Sequence, residues 1–211
     1  MNKLLSIEEG RILTKFARQS IERYVRDMHT LELPQISSKA LFEHRGVFVT
    51  LKTLPQRELR GCIGFLQPGP KSQQKPLPLL EATQQAALNS ALRDPRFPPL
   101  QAPELEQILV EVSVLTIPEA LEVDDRKTLP SRIIIGKHGL IIEGEGWHRG
   151  LLLPQVAPEQ DWDAEEFLNG CCRKAGLGKD CYLDQNTRIF VFQAQIFAEE
   201  TVKGKIRERT F

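Results

Sequence analysis

The stretch VFVTLKTLPQRELRGCIGFL, residues 47–66, decides the fold class. Val47–Leu51 and Leu59–Leu66 are runs of strand length rich in β-branched and apolar residues, and a connection containing Pro55 separates them. That pattern predicts a β-hairpin. A hairpin joins antiparallel neighbours, because parallel ones need a long crossover between them.

On the N-terminal side, residues 6–28 predict an amphipathic helix. Ser6 and Glu9 have capping-box spacing, and Ile12, Leu13, Phe16, Ala17, Ile21, Tyr24, Val25 and Met28 follow a helical period. On the C-terminal side, residues 67–78 (QPGPKSQQKPLP) hold five prolines or glycines and predict a surface loop. Leu79 to about Arg93 predicts a second helix, alanine-rich on one face and stopped by Asp94-Pro95. Four prolines within residues 95–103 stiffen the connection that follows.

Further along, Val110, Val112 and Val114 alternate with Glu111 and Ser113, the pattern of a half-buried strand. Ile133–Ile135 and Leu140–Ile142 flank Gly136-Lys137-His138-Gly139, which predicts a second hairpin with His138 at its tip. Leu151–Leu153 is another short strand. Asp163 and Glu166 repeat the capping-box spacing ahead of a third helix, which ends near Gly176 and Gly178. Arg188–Phe197 is a long strand, and Glu199–Arg209 reads as a charged tail. The sum is about three helices and about seven strands without a strand–helix–strand rhythm. The expected class is α+β with a mainly antiparallel sheet, as one compact unit in two lobes.

Composition narrows the function. The 211 residues carry 28 Lys+Arg against 28 Asp+Glu, a net charge of zero, which disfavours a protein that clings to nucleic acid through phosphate neutralisation. No apolar run approaches the length of a membrane span. The opening MNKLLSIEEG meets two glutamates before any apolar signal core forms, so a cytoplasmic, reducing setting is expected. Four cysteines are too few for a disulfide scaffold, and Cys171, Cys172 and Cys181 lack zinc-ligand spacing, so buried or half-buried thiols and no metal site are expected.

The densest chemistry lies in Arg60-Gly61-Cys62-Ile63-Gly64. Gly61 and Gly64 leave room for a close backbone approach, and a neighbouring arginine favours a thiolate. Cys62 is therefore a candidate nucleophile with backbone amides beside it for an oxyanion. The structural alternative is a glycine bulge with Cys62 as a small buried hydrophobe. In Asp94-Pro95-Arg96-Phe97 the proline restricts the backbone, so Arg96 either presents its fork to an anion or clasps Asp94. His138 is a candidate base, with solvation in its loop as the alternative. His148, beside Trp147 in EGEGWHRG, is weaker, and Gly144-x-Gly146-x-x-x-Gly150 lacks dinucleotide-binding spacing.

Six segments in order then carry a resemblance: LRGCIG (59–64), DPRFPPL (94–100), VSVLTIPE (112–119), IGKHGLIIE (135–143), GLLLPQVA (150–157) and WDAEEFLNGCCRKAGL (162–177). Together they resemble AMMECR-type proteins over nearly the whole chain, from about residue 40 to about residue 200. The resemblance implies a two-lobed α+β architecture and carries Arg60, Gly61, Cys62, Gly64, Asp94, Arg96 and Phe97 as motif positions. It supplies no reaction and no cofactor. It does imply partners by gene association, a Memo-type protein and a radical S-adenosylmethionine enzyme. Phe65 stands where relatives often carry a small or hydroxyl residue, and the 67–78 loop is peculiar to this chain. Either feature would change which ligand enters beside Cys62. The expected function is a cleft around LRGCIG for a small anionic ligand or substrate, with Arg60, Gly61, Gly64, Asp94 and Arg96 binding and Cys62 and His138 catalytic. A non-catalytic protein-binding or adaptor module using the same groove is the alternative, and an RNA-modification factor is disfavoured by the neutral charge.

Overall fold

The capping box at the first helix forms as its spacing requires. Ser6 Oγ accepts from the Glu9 amide, and the Glu9 carboxylate accepts from the Ser6 amide at 2.7 Å. In the computed structural model, which describes residues 4–66 and 75–209, this helix, α1, runs Ile7–Asp27. It ends on Met28 in the left-handed conformation, whose amide closes on Tyr24 O. Strands β1 (Val47–Thr53) and β2 (Leu59–Phe65) form the expected antiparallel hairpin, and helix α2 follows at Leu79–Leu92. Most of the predicted 67–78 loop lies outside the described residues; the part from Lys75 to Pro78 has no helix or strand.

The chain divides into two units. The first comprises residues 1–115 with 195–210, and the second residues 116–194. In the first unit, β3 (Ile108–Leu115) pairs antiparallel with β1, and the five-stranded sheet has the order β2-β1-β3-β8-β9. Strands β8 (Ala194–Glu199) and β9 (Ile206–Arg209) are antiparallel neighbours. Val47, Val49 and Leu51 join Val110, Val112 and Val114 in a core completed by Leu13, Phe16 and Ile21 of α1 and the alanine face of α2.

Two expectations for this unit change. Strand β3 is buried along its whole length, not half-buried, because it lies inside the sheet and the polar residues of its second face are covered as well. Glu111 is tolerated there because Lys52 Nζ and Arg209 Nη1 reach its carboxylate at 3.3 and 2.9 Å. The charged tail is an edge strand. One apolar residue, Ile206, anchors β9 in the core while its charged neighbours stay exposed, so composition concealed a strand.

Arg18 and Glu199 cross-link α1 to this sheet in full burial. The Arg18 guanidinium binds both Glu199 oxygens and donates to Leu105 O and Ile108 O, while Glu199 also accepts from the Val110 amide. Such a pair survives burial because its remaining polar atoms are engaged by backbone.

The second unit holds β4 (Glu119–Ala120), the one-turn helix α3 (Leu129–Arg132), β5 (Gly139–Glu143), β6 (Arg149–Leu152), the one-turn helix α4 (Val156–Glu159), α5 (Ala164–Lys174) and β7 (Arg188–Phe192). Its sheet has the order β4-β7-β5-β6 with antiparallel pairing throughout. Phe167, Leu168, Cys171 and Cys172 of α5 pack with Leu140, Ile142 and Ile189. The α5 capping box, Asp163 with Glu166, forms as predicted.

Here the predicted 133–142 hairpin is replaced by another. Pro130 seeds α3, so Ile133–Ile135 is the exit from a helical turn, and β5 pairs instead with β6 through the glycine-rich 144–148 turn. Arg188–Phe197 is also two strands, which part at Gln193 and join different sheets. The nine described strands and mixed helices confirm the α+β class. The cysteine expectation changes too: Cys172 and Cys181 form a disulfide, leaving Cys62 and Cys171 free. Among the described residues no helix is long and apolar enough to cross a membrane.

Candidate functional site

Register places the candidate thiol. Cys62 on β2 faces Thr50 on β1, and Thr50 faces Glu111 on β3, so the three form one row across the sheet. Side chains alternate along a strand, which puts this row on the face opposite Val49, Leu51 and the two helices. Thr50 Oγ1 donates to Cys62 Sγ at 3.3 Å.

The adjoining glycines serve packing. A Cβ on Gly61 would lie 2.2 Å from Ser90 O of α2, and one on Gly64 would lie 2.3 Å from the Phe48 ring. The space they create is therefore filled by the protein itself. The backbone amides beside Cys62 are likewise engaged: Cys62 N donates to Asp94 Oδ2 and Ile63 N to Ser90 Oγ, each at 2.8 Å. The expected oxyanion pocket at these two amides is absent, because an α2 hydroxyl and the carboxylate that follows α2 already occupy them.

Asp94 is the hub of the site. Only 3% exposed, it sits just past the end of α2. Besides the Cys62 amide, its carboxylate accepts from Arg96 N, Nε and Nη2 at 3.1, 2.9 and 2.7 Å. Arg96 Nη2 also reaches Cys62 O at 3.3 Å, so the Asp94–Arg96 pair grips the Cys62 peptide from both its amide and its carbonyl. Hydrogen bonding from Arg96 holds the Asp94 carboxyl well below the usual carboxylate range, and Asp94 raises Arg96 in turn. The Phe97 ring has two guanidinium groups against it, Arg60 at 5.8 Å and Arg96 at 5.5 Å from the ring centre.

Arg60 does not activate the thiol. Its fork binds Glu104, Nε to Oε1 at 2.7 Å and Nη2 to Oε2 at 3.1 Å, and the cation beside Cys62 is Arg96. Burial pushes the Cys62 thiol upward, outweighing both the Thr50 hydrogen bond and the Arg96 charge, with Asp94 and Glu111 adding to the rise. The group presented at neutral pH is a thiol, not a thiolate.

Arg60, Gly61, Cys62, Gly64, Asp94 and Arg96 thus come together. His138 belongs to the second unit, in a turn ahead of β5 and not at a hairpin tip. Its Nδ1 accepts from the Ile134 amide at 3.3 Å, and burial together with the Lys137 charge lowers its pKa. The ring is a turn-stabilising group there. Thr50, Ser90, Glu104 and Glu111 were missed from the sequence. The legible signs were a serine on the alanine face of α2 and a carboxylate flanked by valines in β3; Thr50 and Glu104 carried none, since register and pairing alone identify them. Among the described residues no group of three or more His, Cys, Asp or Glu is placed to hold a metal.

A two-sheet α+β chain with an arginine–carboxylate clasp around an LRGCIG strand defines the class of protein. The AMMECR1 family model matches residues 14–197, and the chain belongs to that family. A protein from Methanothermobacter thermautotrophicus is 51% identical over 196 residues, covering 93% of this chain and 97% of its own. One from Methanopyrus kandleri is 47% identical over 210 residues, covering 99% and 97%. The crystal structure of an uncharacterised Pyrococcus horikoshii protein superposes with a TM-score of 0.88 at 45% identity, over 98% of this chain and 99% of that one.

Proposed function

We propose that the junction of LRGCIG with DPRF binds a small anionic ligand, with Arg96 as its charged contact and Cys62 as a neutral thiol at its edge. One observation carries this reading. The Arg96 side chain is 51% exposed yet fixed by Asp94 and Cys62 O, and its Nη1 donates to no described residue. An exposed arginine normally loses much side-chain entropy on binding; one already held in place loses less. The Nε–Nη2 fork is taken by Asp94, so Nη1 is the donor left for an oxygen of a carboxylate or phosphate.

The protonated state of Cys62 and the engaged amides favour binding over thiolate catalysis. Action beside a Memo-type protein and a radical S-adenosylmethionine enzyme, in the cytoplasm, completes the proposal; the family resemblance supports the partners. The experiment is protection of Cys62 from iodoacetamide, followed by peptide mass spectrometry at constant ionic strength. Phosphate or a dicarboxylate at millimolar concentration slows labelling of the wild type several-fold relative to chloride and has no such effect on Arg96→Ala. Equal rates with all anions refute the reading.

A further inference from the structure

One buried carboxylate and one buried hydroxyl on the second face of the five-stranded sheet have hydrogen-bonding capacity that the chain does not use. Both lie close to Cys62. Register sets Gly64, Phe48 and Ser113 in a row next to the row of Cys62, Thr50 and Glu111, and residues two apart on a strand share a face. The row of Cys62 thus forms a polar floor. Beside it stands Phe48, whose ring occupies the place where a Cβ on Gly64 would point.

Glu111 is 4% exposed. Lys52 Nζ and Arg209 Nη1 both bind its Oε2, and its Oε1 accepts from no described residue. Ser113 is fully buried, and its Oγ has no hydrogen-bond partner. Buried polar atoms are nearly always paired, because an unpaired one loses its hydration without compensation. Two such atoms in adjacent rows mark a place where a polar group from outside the chain completes the bonding. An ionised carboxylate only accepts, so the group that meets Oε1 is a donor, and a serine hydroxyl can take either role. Two cations already flank the one carboxylate, so the surroundings are net positive and disfavour an ammonium. The donor that fits is a neutral hydroxyl.

The anion contact lies at the end of the same row. Arg96 Nη2 reaches Cys62 O, and the Cys62 thiol senses both the Arg96 and the Glu111 charge. Two strand spacings, roughly 10 Å, separate β2 from β3 across this floor.

We propose that the anion held by Arg96 is one end of a sugar-sized, hydroxyl-bearing phosphate or carboxylate that crosses Cys62 and Thr50 and sets its hydroxyls on Glu111 Oε1 and Ser113 Oγ. This rests on the reading of Arg96 as the anion contact and adds the chemical class of the ligand. Arg96 anchors the charged end, while Glu111 and Ser113 select for hydroxyls at the other. Cys62 lies beneath the molecule between them, so its thiol reports occupancy.

The test measures protection of Cys62 from iodoacetamide in the full chain at constant ionic strength, using two matched pairs of probes. Glucose 6-phosphate is set against hexyl phosphate, and gluconate against hexanoate. In at least one pair the hydroxylated member protects at a concentration roughly tenfold below that of its bare partner, and that pair identifies the charged end. Glu111→Leu abolishes the preference and retains protection by the bare anions. Ser113→Ala, which breaks no hydrogen bond in the free protein, lowers the preference with little change in melting temperature. Equal protection within both pairs overturns the inference and leaves the anion site standing. No protection by any of the four overturns the anion reading and this one with it. A preference that survives both substitutions overturns the assignment of the hydroxyls to this face.

Discussion

Asp94→Asn is the most informative perturbation of the candidate site. The carboxylate takes four hydrogen bonds, one from the Cys62 amide and three from Arg96. An asparagine of the same shape keeps one acceptor oxygen and turns an NH2 toward donors. A hydrogen bond to a charged group contributes about 1.5–3 kcal/mol, and an unsatisfied buried donor costs about 1–3 kcal/mol. Arg96 is half exposed and recovers water, so its share is discounted, and the buried side of the loss is the Cys62 amide. The net expectation is a destabilisation of about 2–4 kcal/mol. For a chain of this size that lowers the melting temperature by roughly 4–16 °C, read on the transition of the first unit. The pH dependence has a definite sign. Arg96 depresses the folded pKa of Asp94 below its ordinary 3.8. The stability it confers is therefore full above that ordinary value and is lost as pH falls toward the folded one. Urea unfolding of both proteins across this range checks the effect: the gap between wild type and variant is widest at neutral pH and narrows under acid. A variant within about 0.5 kcal/mol of wild type at pH 7 refutes the hub role.

Other perturbations follow from the same geometry. Glu199→Gln leaves the buried Arg18 charge with only the more distant Glu22 carboxylate, 4.0 Å away, and costs about 3 kcal/mol in urea unfolding, so a loss below about 1 kcal/mol contradicts the cross-link. Gly61→Ala places a methyl 2.2 Å from Ser90 O and forces β2 from α2, destabilising by about 1–3 kcal/mol, with hydrogen exchange rising at the Ile63 amide. Alkylation of Cys62 is slow at pH 7 and speeds up only above the pH at which an unperturbed thiol ionises; Thr50→Val moves that rise higher by removing a hydrogen bond that lowers the pKa. A rate profile centred below the ordinary thiol range contradicts the buried-thiol assignment.

The parts of the fold that were legible in the sequence are those encoded by short spacings. The caps at Ser6 and Asp163 and the β1–β2 hairpin need no knowledge of distant residues. The site was legible as two motifs, LRGCIG and DPRF, and their meeting was not. Nothing local says that Asp94 accepts from the Cys62 amide or that Arg60 turns to Glu104. The Ile133–Ile135 run differs from its expected strand for a similar reason: apolar runs of three residues suit a helix exit as well as a strand, and Pro130 tips the balance.

By itself, then, the sequence determined the α+β class and the main helices, because helix periodicity, capping and hairpin chemistry act within a few residues, and six motifs in order carried the family resemblance. Tertiary structure alone decided that β3 is buried on both faces, that a charged C-terminal segment pairs as β9, and that Cys181 bonds Cys172 while Cys62 remains a raised-pKa thiol. Those outcomes depend on strand order and on which distant groups come within a few ångströms of each other. Burial and hydrogen bonding, which set both pairing and ionisation, exist only once the chain has closed on itself.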